Sequence, residues 1–225
     1  MSEKLIDEIR ILLEKQPLLD IEETEDEYIL NGLYKYCLEY NSNIMQGERR
    51  VKLCIMKNFP YSIPKLYVYD CPNEMEHKYT DDNVCLATIG EILQFLTRNS
   101  SLIAFIDKFV DSFIFSLDWF EKYKTYPFGE RKHGGIGLLD YYLNDLNLTI
   151  DQYKKMVVMI DNNKYRGHSK CFCGSGKKLR ECHGNYILPL MKNNDFKRLF
   201  LKEVSSICLD DEAYGILRED KMNGK

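Results

Sequence analysis

Hydrophobic positions change rhythm along this chain, and the changes mark its elements. Leu5, Ile9, Leu12 and Leu13 recur at helical spacing behind Ser2, a capping residue, so the opening segment reads as an amphipathic helix that Pro17 ends. From Leu18 to Asp70 the pattern turns extended, with runs near Ile21, Tyr28–Tyr40, Arg49–Lys57 and Leu66–Tyr69. Turn chemistry at Asn41-Ser42-Asn43 and at Gln46-Gly47 separates these runs, and such short connections predict an antiparallel meander. Helical periodicity returns in Ile89–Thr97 and Leu102–Tyr123. In the second of these Leu102, Phe105, Ile106, Phe109, Phe113 and Leu117 make an apolar face that Ile114 and Phe120 broaden. The glycines and charges of Pro127–Gly137 mark a loop leading into Leu138–Leu146. Thr149 opens a helix through Ile160, with Asp151 near its start, and Asp161-Asn162-Asn163-Lys164 breaks it. Phe196, Leu199, Phe200 and Val204 carry a later helix. A helix, a meander and then helices make an α+β chain.

Composition narrows the setting. With 225 residues, 44% of them hydrophobic and 29% charged, the chain can bury one or two ordinary cores. A net charge of −4 gives no reason to expect nucleic-acid binding. The segment Met1–Asp7 lacks the apolar stretch of a secretory signal. Ser101–Phe120, the most apolar run, is interrupted by Asp107, Lys108, Asp111 and Asp118, which are costly in lipid, so it reads as a buried helix and not a membrane span. A cytoplasmic location is expected, and there the eight cysteines are thiols, a metal site and a nucleophile before they are disulfides. The acidic run Glu22–Glu27 reads as a solvated turn between strands.

The thiol chemistry concentrates in two places. In the first, Pro60 and Pro64 lack amide donors, stop a ladder and force a turn before Leu66 and Val68 resume an extended run. A polar segment, Asp70 to Asn83, then delivers Cys85 framed by Val84 and Leu86, with His77 as the nearest imidazole in sequence. That arrangement suits a thiolate nucleophile presented from a loop. Cys37 and Cys54 lie in apolar strands and Cys208 in a terminal helical stretch, so each reads as a small buried hydrophobe. Cys71, before Pro72, is the one rival nucleophile.

These residues resemble the ubiquitin-conjugating (UBC) enzymes. In that family Tyr/Phe-Pro, three residues and Pro-Lys precede the catalytic loop, as Phe59-Pro60, three residues, Pro64-Lys65-Leu66 do here. The family's catalytic cysteine is followed by Leu and lies shortly after a His-Pro-Asn motif; here Cys85-Leu86 and His77-Lys78-Tyr79 stand in those places. The Pro and Asn are replaced, and the His-to-Cys spacing is two residues shorter. The resemblance implies a UBC-like four-strand meander with flanking helices and a thioester on Cys85, discharged to an amine. His77 or His133 would assist the thiol or the amine, Asp81 and Asp82 would orient the incoming lysine, and Asn83 or backbone amides would hold the oxyanion. It implies as acyl donor the C-terminus of a cGAS-like nucleotidyltransferase, in a CBASS anti-phage operon, or of a ubiquitin-like protein, with a separate activating enzyme or an unusual donor. Non-catalytic UBC-like or RWD-like adaptors are the alternative, supported by the missing Asn.

The second place is Cys171-x-Cys173, eight residues, then Cys182-His183. Three sulfurs and an imidazole closing over a glycine turn are a complete tetrahedral set for zinc and leave no position for water, so the ion would be structural. A zinc enzyme is excluded on that ground, because His77, His133 and His168 have no metal spacing. The stretch Cys171–Gly184 resembles the SEC-C motif of the SecA translocase, including Gly174-Ser175-Gly176-Lys177-Lys178.

The glycine-rich stretch Pro127–Gly137 lacks the Lys-Ser/Thr and the preceding strand of a phosphate loop. It resembles, loosely, a Gly-Glu-Arg-x-His-Gly block of bacterial conjugating-type proteins, which would set Glu130 and His133 beside the active site. A surface loop whose His133 bonds backbone fits the residues equally well. Together these readings divide the chain into a UBC-like domain over residues 1–125, a loop and helical extension over 126–165, and a SEC-C zinc module with a terminal helix over 166–225.

Overall fold

A computed structural model describes residues 2–40, 43–72, 78–79, 81–129 and 132–219. Helix α1, Ser2–Lys15, turns Leu5, Ile9 and Leu12 inward, and Pro17 follows its end. Gln16 then fastens the helix to the sheet, since its amide donates to Lys35 O at 2.7 Å while its carbonyl accepts from Lys35 N at 2.9 Å.

Four strands follow in the order of the chain: β1, Leu19–Glu23; β2, Glu27–Tyr40; β3, Asn43–Met56; and β4, Lys65–Val68. All pairs are antiparallel, so the expected meander is present. Its register puts Leu30 opposite Leu53 and Leu53 opposite Leu66, which aligns Tyr28, Leu30, Tyr34, Val51, Ile55, Leu66 and Val68 on one buried face. β1 and β4 are short, so β2 and β3 run past them as a two-stranded ribbon.

Two expectations fail in this sheet. Gln46-Gly47 is no turn: Gly47 pairs with Tyr36 inside β3. The glycine serves a close approach instead, because a Cβ there would lie 2.7 Å from Asp118 Oδ2 and 3.0 Å from the Tyr36 ring. Cys37 is exposed, since the inward face of β2 runs through Tyr34 and Tyr36 and Cys37 falls on the other side of the ribbon. Cys54 is buried as expected.

The sheet packs against one long helical stretch. α3, Leu102–Phe105, continues through a π-helical turn, Ile106–Val110, into α4, Asp111–Tyr123. Leu102, Phe105, Ile106, Phe109, Val110, Phe113, Ile114 and Leu117 are buried along it, and the π turn keeps them aligned where a regular helix would rotate them away. Glu8 of α1 accepts from Leu102 N at 2.8 Å and so caps α3. At the rim, Arg49 Nε bonds Asp118 at 2.6 Å, and Tyr36 and Glu121 join the same network.

The remaining elements are helical: α2, Ile89–Leu96; α5, Gly134–Asp140, continuing as a π turn, Tyr141–Asp145; α6, Ile150–Asp161; α7, Gly184–Lys192; α8, Asn194–Leu209; and α9, Asp211–Glu219. The chain divides into two compact units, Met1–Ala87 with Asn99–Glu130, and Thr88–Arg98 with Arg131–Lys225. The first is the sheet with α1, α3 and α4; α2 clusters with the second, where it packs on α8 beside α5, α6 and α7. Thr149 closes a capping box with Gln152 at the start of α6, as its position predicts.

Helix α5 begins inside the glycine stretch expected to be loop. A Cβ on Gly137 would lie 1.6 Å from Lys132 O, and Gly135 packs on Asp210 and Ile207, so the glycines allow tight helix entry and close packing on α8. Asp210 accepts from Gly135 N at 2.8 Å and from Ala213 N at 2.9 Å, and these amides hold its carboxyl below the usual range. Cys208, expected to be buried, is exposed, because the inward stripe of α8 is Phe196, Phe200, Glu203 and Ile207.

Candidate functional site

The proline-framed turn behaves as its residues dictate. β3 ends at Met56, and Pro60 and Pro64 are buried before β4 starts at Lys65; the Phe59-Pro60 bond is cis. Beyond β4, Lys78 and Val84 form a single antiparallel bridge. Tyr79 N donates to Asn83 O at 2.8 Å and Asp82 N to Tyr79 O at 3.0 Å, closing a tight turn in which Asp82 takes a φ of +63°. Val84 N donates to Leu66 O at 2.8 Å, so the loop adds to the free edge of β4, and Lys65 pairs with Asp81 across it at 2.8 Å. Cys85 is the next residue after that anchor.

Cys85 is half-buried. Tyr79 Oη lies 3.4 Å from its Sγ as a donor, and the thiol points to Ala87 O at 3.7 Å. A hydroxyl beside a sulfur stabilises the thiolate more than the thiol. Asn83 is buried, and its Nδ2 donates to Asp81 Oδ1 at 2.6 Å. That leaves one of its two N–H bonds for any other acceptor. Lys65 and Asn83 hold the Asp81 carboxyl below its ordinary value.

The rival thiol is differently placed. Cys71 is buried, and desolvation pushes its thiol up despite nearby Lys78, whose Nζ donates to Cys71 O at 3.3 Å. Burial raises Cys54 as well. Cys85 is therefore the more accessible thiol of this loop.

Of the expected assistants, Asn83 shares the Cys85 loop, whereas His133 belongs to the second unit, at the start of α5. His77 and Glu130 lie outside the described residues. Tyr79 is the neighbour sequence reasoning passed over as a mere replacement for an Asn.

The second site gathers the four expected donors. Cys171 Sγ and Cys182 Sγ each lie 3.3 Å from His183 Nδ1, and Cys173 Sγ lies 3.6 Å from Cys182 Sγ. One ligand atom from each of the four falls within 4.8 Å of the others, so they could hold a metal ion. Gly174 and Gly176 take φ of +77° and +75°, which closes the loop between the first pair of ligands and the second. Gln152 Nε2 of α6 donates to Cys173 O at 2.9 Å, and the Phe172 ring leans on His183 with centroids 5.2 Å apart. The Cys173 thiol, which desolvation alone would raise, is brought down to about 6 chiefly by the Ser175 hydroxyl and amide.

A third polar group went unpredicted. Glu203 is fully buried, accepts from Tyr142 Oη, and lies among Tyr153 and Tyr186, whose hydroxyls are also buried. Desolvation raises its carboxyl to about 7 against the opposing pull of Tyr142 and the Gly90 and Ile89 amides at the start of α2. The spacing Phe196, Phe200, Glu203, Ile207 was the available signal, since it sets a carboxylate on an apolar stripe.

No protein-family model matches the chain, and no curated protein matches it. Among the described residues no helix is long and apolar enough to cross a membrane.

Proposed function

We propose that this chain is a cysteine acyl carrier of the ubiquitin-conjugating kind, with a structural zinc in its second unit. The observation that carries the reading is Cys85 itself, half-exposed directly after the residue that ties its loop to the edge of β4, with Tyr79 Oη 3.4 Å from its sulfur. The order of elements, one helix, a four-strand meander, a cysteine loop and then helices, supports a UBC-like fold for the first unit.

In the reaction, the Cys85 thiolate attacks the carbonyl carbon of an activated C-terminus, and the activating enzyme's thiolate leaves. A lysine amine of the target then attacks the Cys85 thioester and loses its proton, an amide forms, and the Cys85 thiolate is expelled. Tyr79 would favour the thiolate at both ends of this cycle. Asp81, already paired to Lys65, would set the local field for the incoming ammonium, and backbone amides or the remaining N–H of Asn83 would face the oxyanion. The sequence resemblance points to a donor such as the C-terminus of a cGAS-like nucleotidyltransferase or of a ubiquitin-like protein in bacterial anti-phage defence.

The donors of the second site fit zinc. A tetrahedral ion with sulfur at ~2.3 Å and nitrogen at ~2.0 Å has ligand edges of roughly 3.5–3.8 Å. The sulfur–sulfur distance of 3.6 Å falls within that range, and the sulfur–nitrogen distances of 3.3 Å lie slightly below it, close enough for the four donors to open around an ion. Cys171, Cys173, Cys182 and His183 would fill all four positions, and the ion would supply folding energy and no open coordination site. A SEC-C-type module follows from that reading.

An adaptor without catalysis is the second reading, and Asn83 favours it, because its amide is bonded to Asp81 at 2.6 Å. Intact-mass measurement of the protein co-expressed with its genomic neighbours, with and without thiol reductant, separates the two. A reductant-labile increment, absent from Cys85→Ala and carrying another protein's C-terminus, is expected. An unmodified mass in every condition, with zinc retained, would establish the adaptor.

A further inference from the structure

Beside the Cys/His cluster, α6 and the loop between Cys171 and Cys173 enclose an open groove of about 490 Å³. Val158, Met159 and Phe172 form its apolar surface, and Lys154, Lys155 and Lys164 surround them, with Asp151 at the start of the helix. Val158 is 58% exposed, although it lies in a helix whose opposite side buries Tyr153, Met156 and Ile160. Among the described residues none of the three lysines is in an ion pair.

Charge singles out this region. From Ile150 to His183 the chain has eight Lys and Arg against three Asp and Glu, in a protein whose net charge is −4. Three thiolates around a divalent ion would offset one positive charge and leave the patch basic. An apolar floor inside a ring of unpaired ammonium groups is complementary to an apolar side chain flanked by carboxylates.

We propose that this groove docks an acidic peptide segment of a partner protein, inserting one aromatic or long aliphatic side chain against Val158, Met159 and Phe172 while its carboxylates meet Lys154, Lys155 and Lys164. The lysines suit carboxylate and phosphate alike; the apolar floor is what favours a peptide anchor. Phe172 stands between two metal ligands and leans on a third, and Gln152 ties α6 to Cys173 O at 2.9 Å. One wall of the groove is thus held by the Cys/His cluster, so docking requires the loaded site. The surface is independent of Cys85, and the thioester reading stands or falls separately.

The test is fluorescence anisotropy with the full-length, metal-loaded protein and a labelled ten-residue peptide of Glu and Asp around a central Phe. Binding is expected, weakened about tenfold when the Phe is replaced by Ala, and by about the same factor in Val158→Asp. Lys154→Glu with Lys155→Glu should weaken it by at least tenfold and remove most of its salt dependence. Chelation should abolish it, and re-addition of zinc should restore it. Circular dichroism of each variant establishes that the helices are intact. Absence of peptide binding, or binding indifferent to the Phe, to Val158 and to the two lysines, would overturn the proposal. So would tighter, Lys154- and Lys155-dependent binding of a labelled oligothymidylate, which would assign the patch to nucleic acid.

Discussion

In the first unit Cys85 stands as the more accessible thiol of an edge loop, half-buried, with a tyrosine hydroxyl at 3.4 Å, whereas in the second Cys171, Cys173 and Cys182 close on one another and on His183. The carboxylates divide the same way. Asp118 of the first unit sits at a rim, matched by Arg49 at 2.6 Å, while Glu203 of the second is fully buried with a tyrosine for a partner and, among the described residues, no ion pair. The same functional groups therefore carry different chemistry according to their company. An accessible sulfur is available to an electrophile, and sulfurs that satisfy one another are available to an ion.

Metal removal should break that contrast most severely. Binding free energies of small zinc sites are on the order of 10 kcal/mol, and that energy is folding energy for the loop that supplies the ligands. If the cluster holds the proposed zinc, chelation or Cys182→Ser removes one equivalent of it and strips hydrogen-exchange protection from Ser169, Cys171 and Leu179, whose amides now bond within the loop. Cys85→Ser should change stability by about 0.5 kcal/mol or less. Equal stability losses in the two variants would mean that both thiol sites are structural.

Glu203 gives the next effect, and its sign is fixed by its surroundings. Burial raises its carboxyl from 4.5 to about 7, so the folded chain holds that proton more tightly than the unfolded chain does. The resulting stability is present below pH 4.5, declines as pH rises through 7, and is then flat; its size is on the order of 3 kcal/mol. Asp111, raised to about 6 mainly by desolvation, adds a slope of the same sign from the first unit. Glu203→Gln keeps an acceptor for Tyr142 and removes the ionisation. Urea denaturation at pH 5 and pH 8 should therefore show a smaller pH difference in Glu203→Gln than in the wild type, and an unchanged difference would mean that Glu203 is neutralised by a partner.

The legible parts of the molecule were those where local chemistry and tertiary packing agree. Pro60 and Pro64 mark the break between β3 and β4, Thr149 marks the start of α6, and the apolar positions of Leu102–Leu117 mark the buried face, because each acts through its own backbone or period. Cys171, Cys173, Cys182 and His183 could be paired from spacing because a short loop must bring them together. What escaped were residues whose meaning lies across the fold. Gly47 reads as a turn until Tyr36 and Asp118 are seen against it, Cys37 reads as core until the ribbon is seen to outrun β1 and β4, and Gly134–Gly137 read as loop until Asp210 meets them. Tyr79 belongs to this class, since only the turn closed by Asp82 and Asn83 returns its hydroxyl to Cys85.

The smallest expected effect tests what Tyr79 adds to the reactivity of Cys85. Tyr79→Phe deletes one hydroxyl from a side chain that is 45% exposed, so folding should not change measurably. If the hydroxyl stabilises the thiolate, its loss costs about 1 kcal/mol of that state and slows Cys85 alkylation by iodoacetamide near pH 7 by about fivefold. The slowing should diminish at a pH high enough to ionise the thiol in both proteins, which separates a shifted equilibrium from a blocked approach. Identical rates in the two proteins at both pH values would remove Tyr79 as a group that activates Cys85.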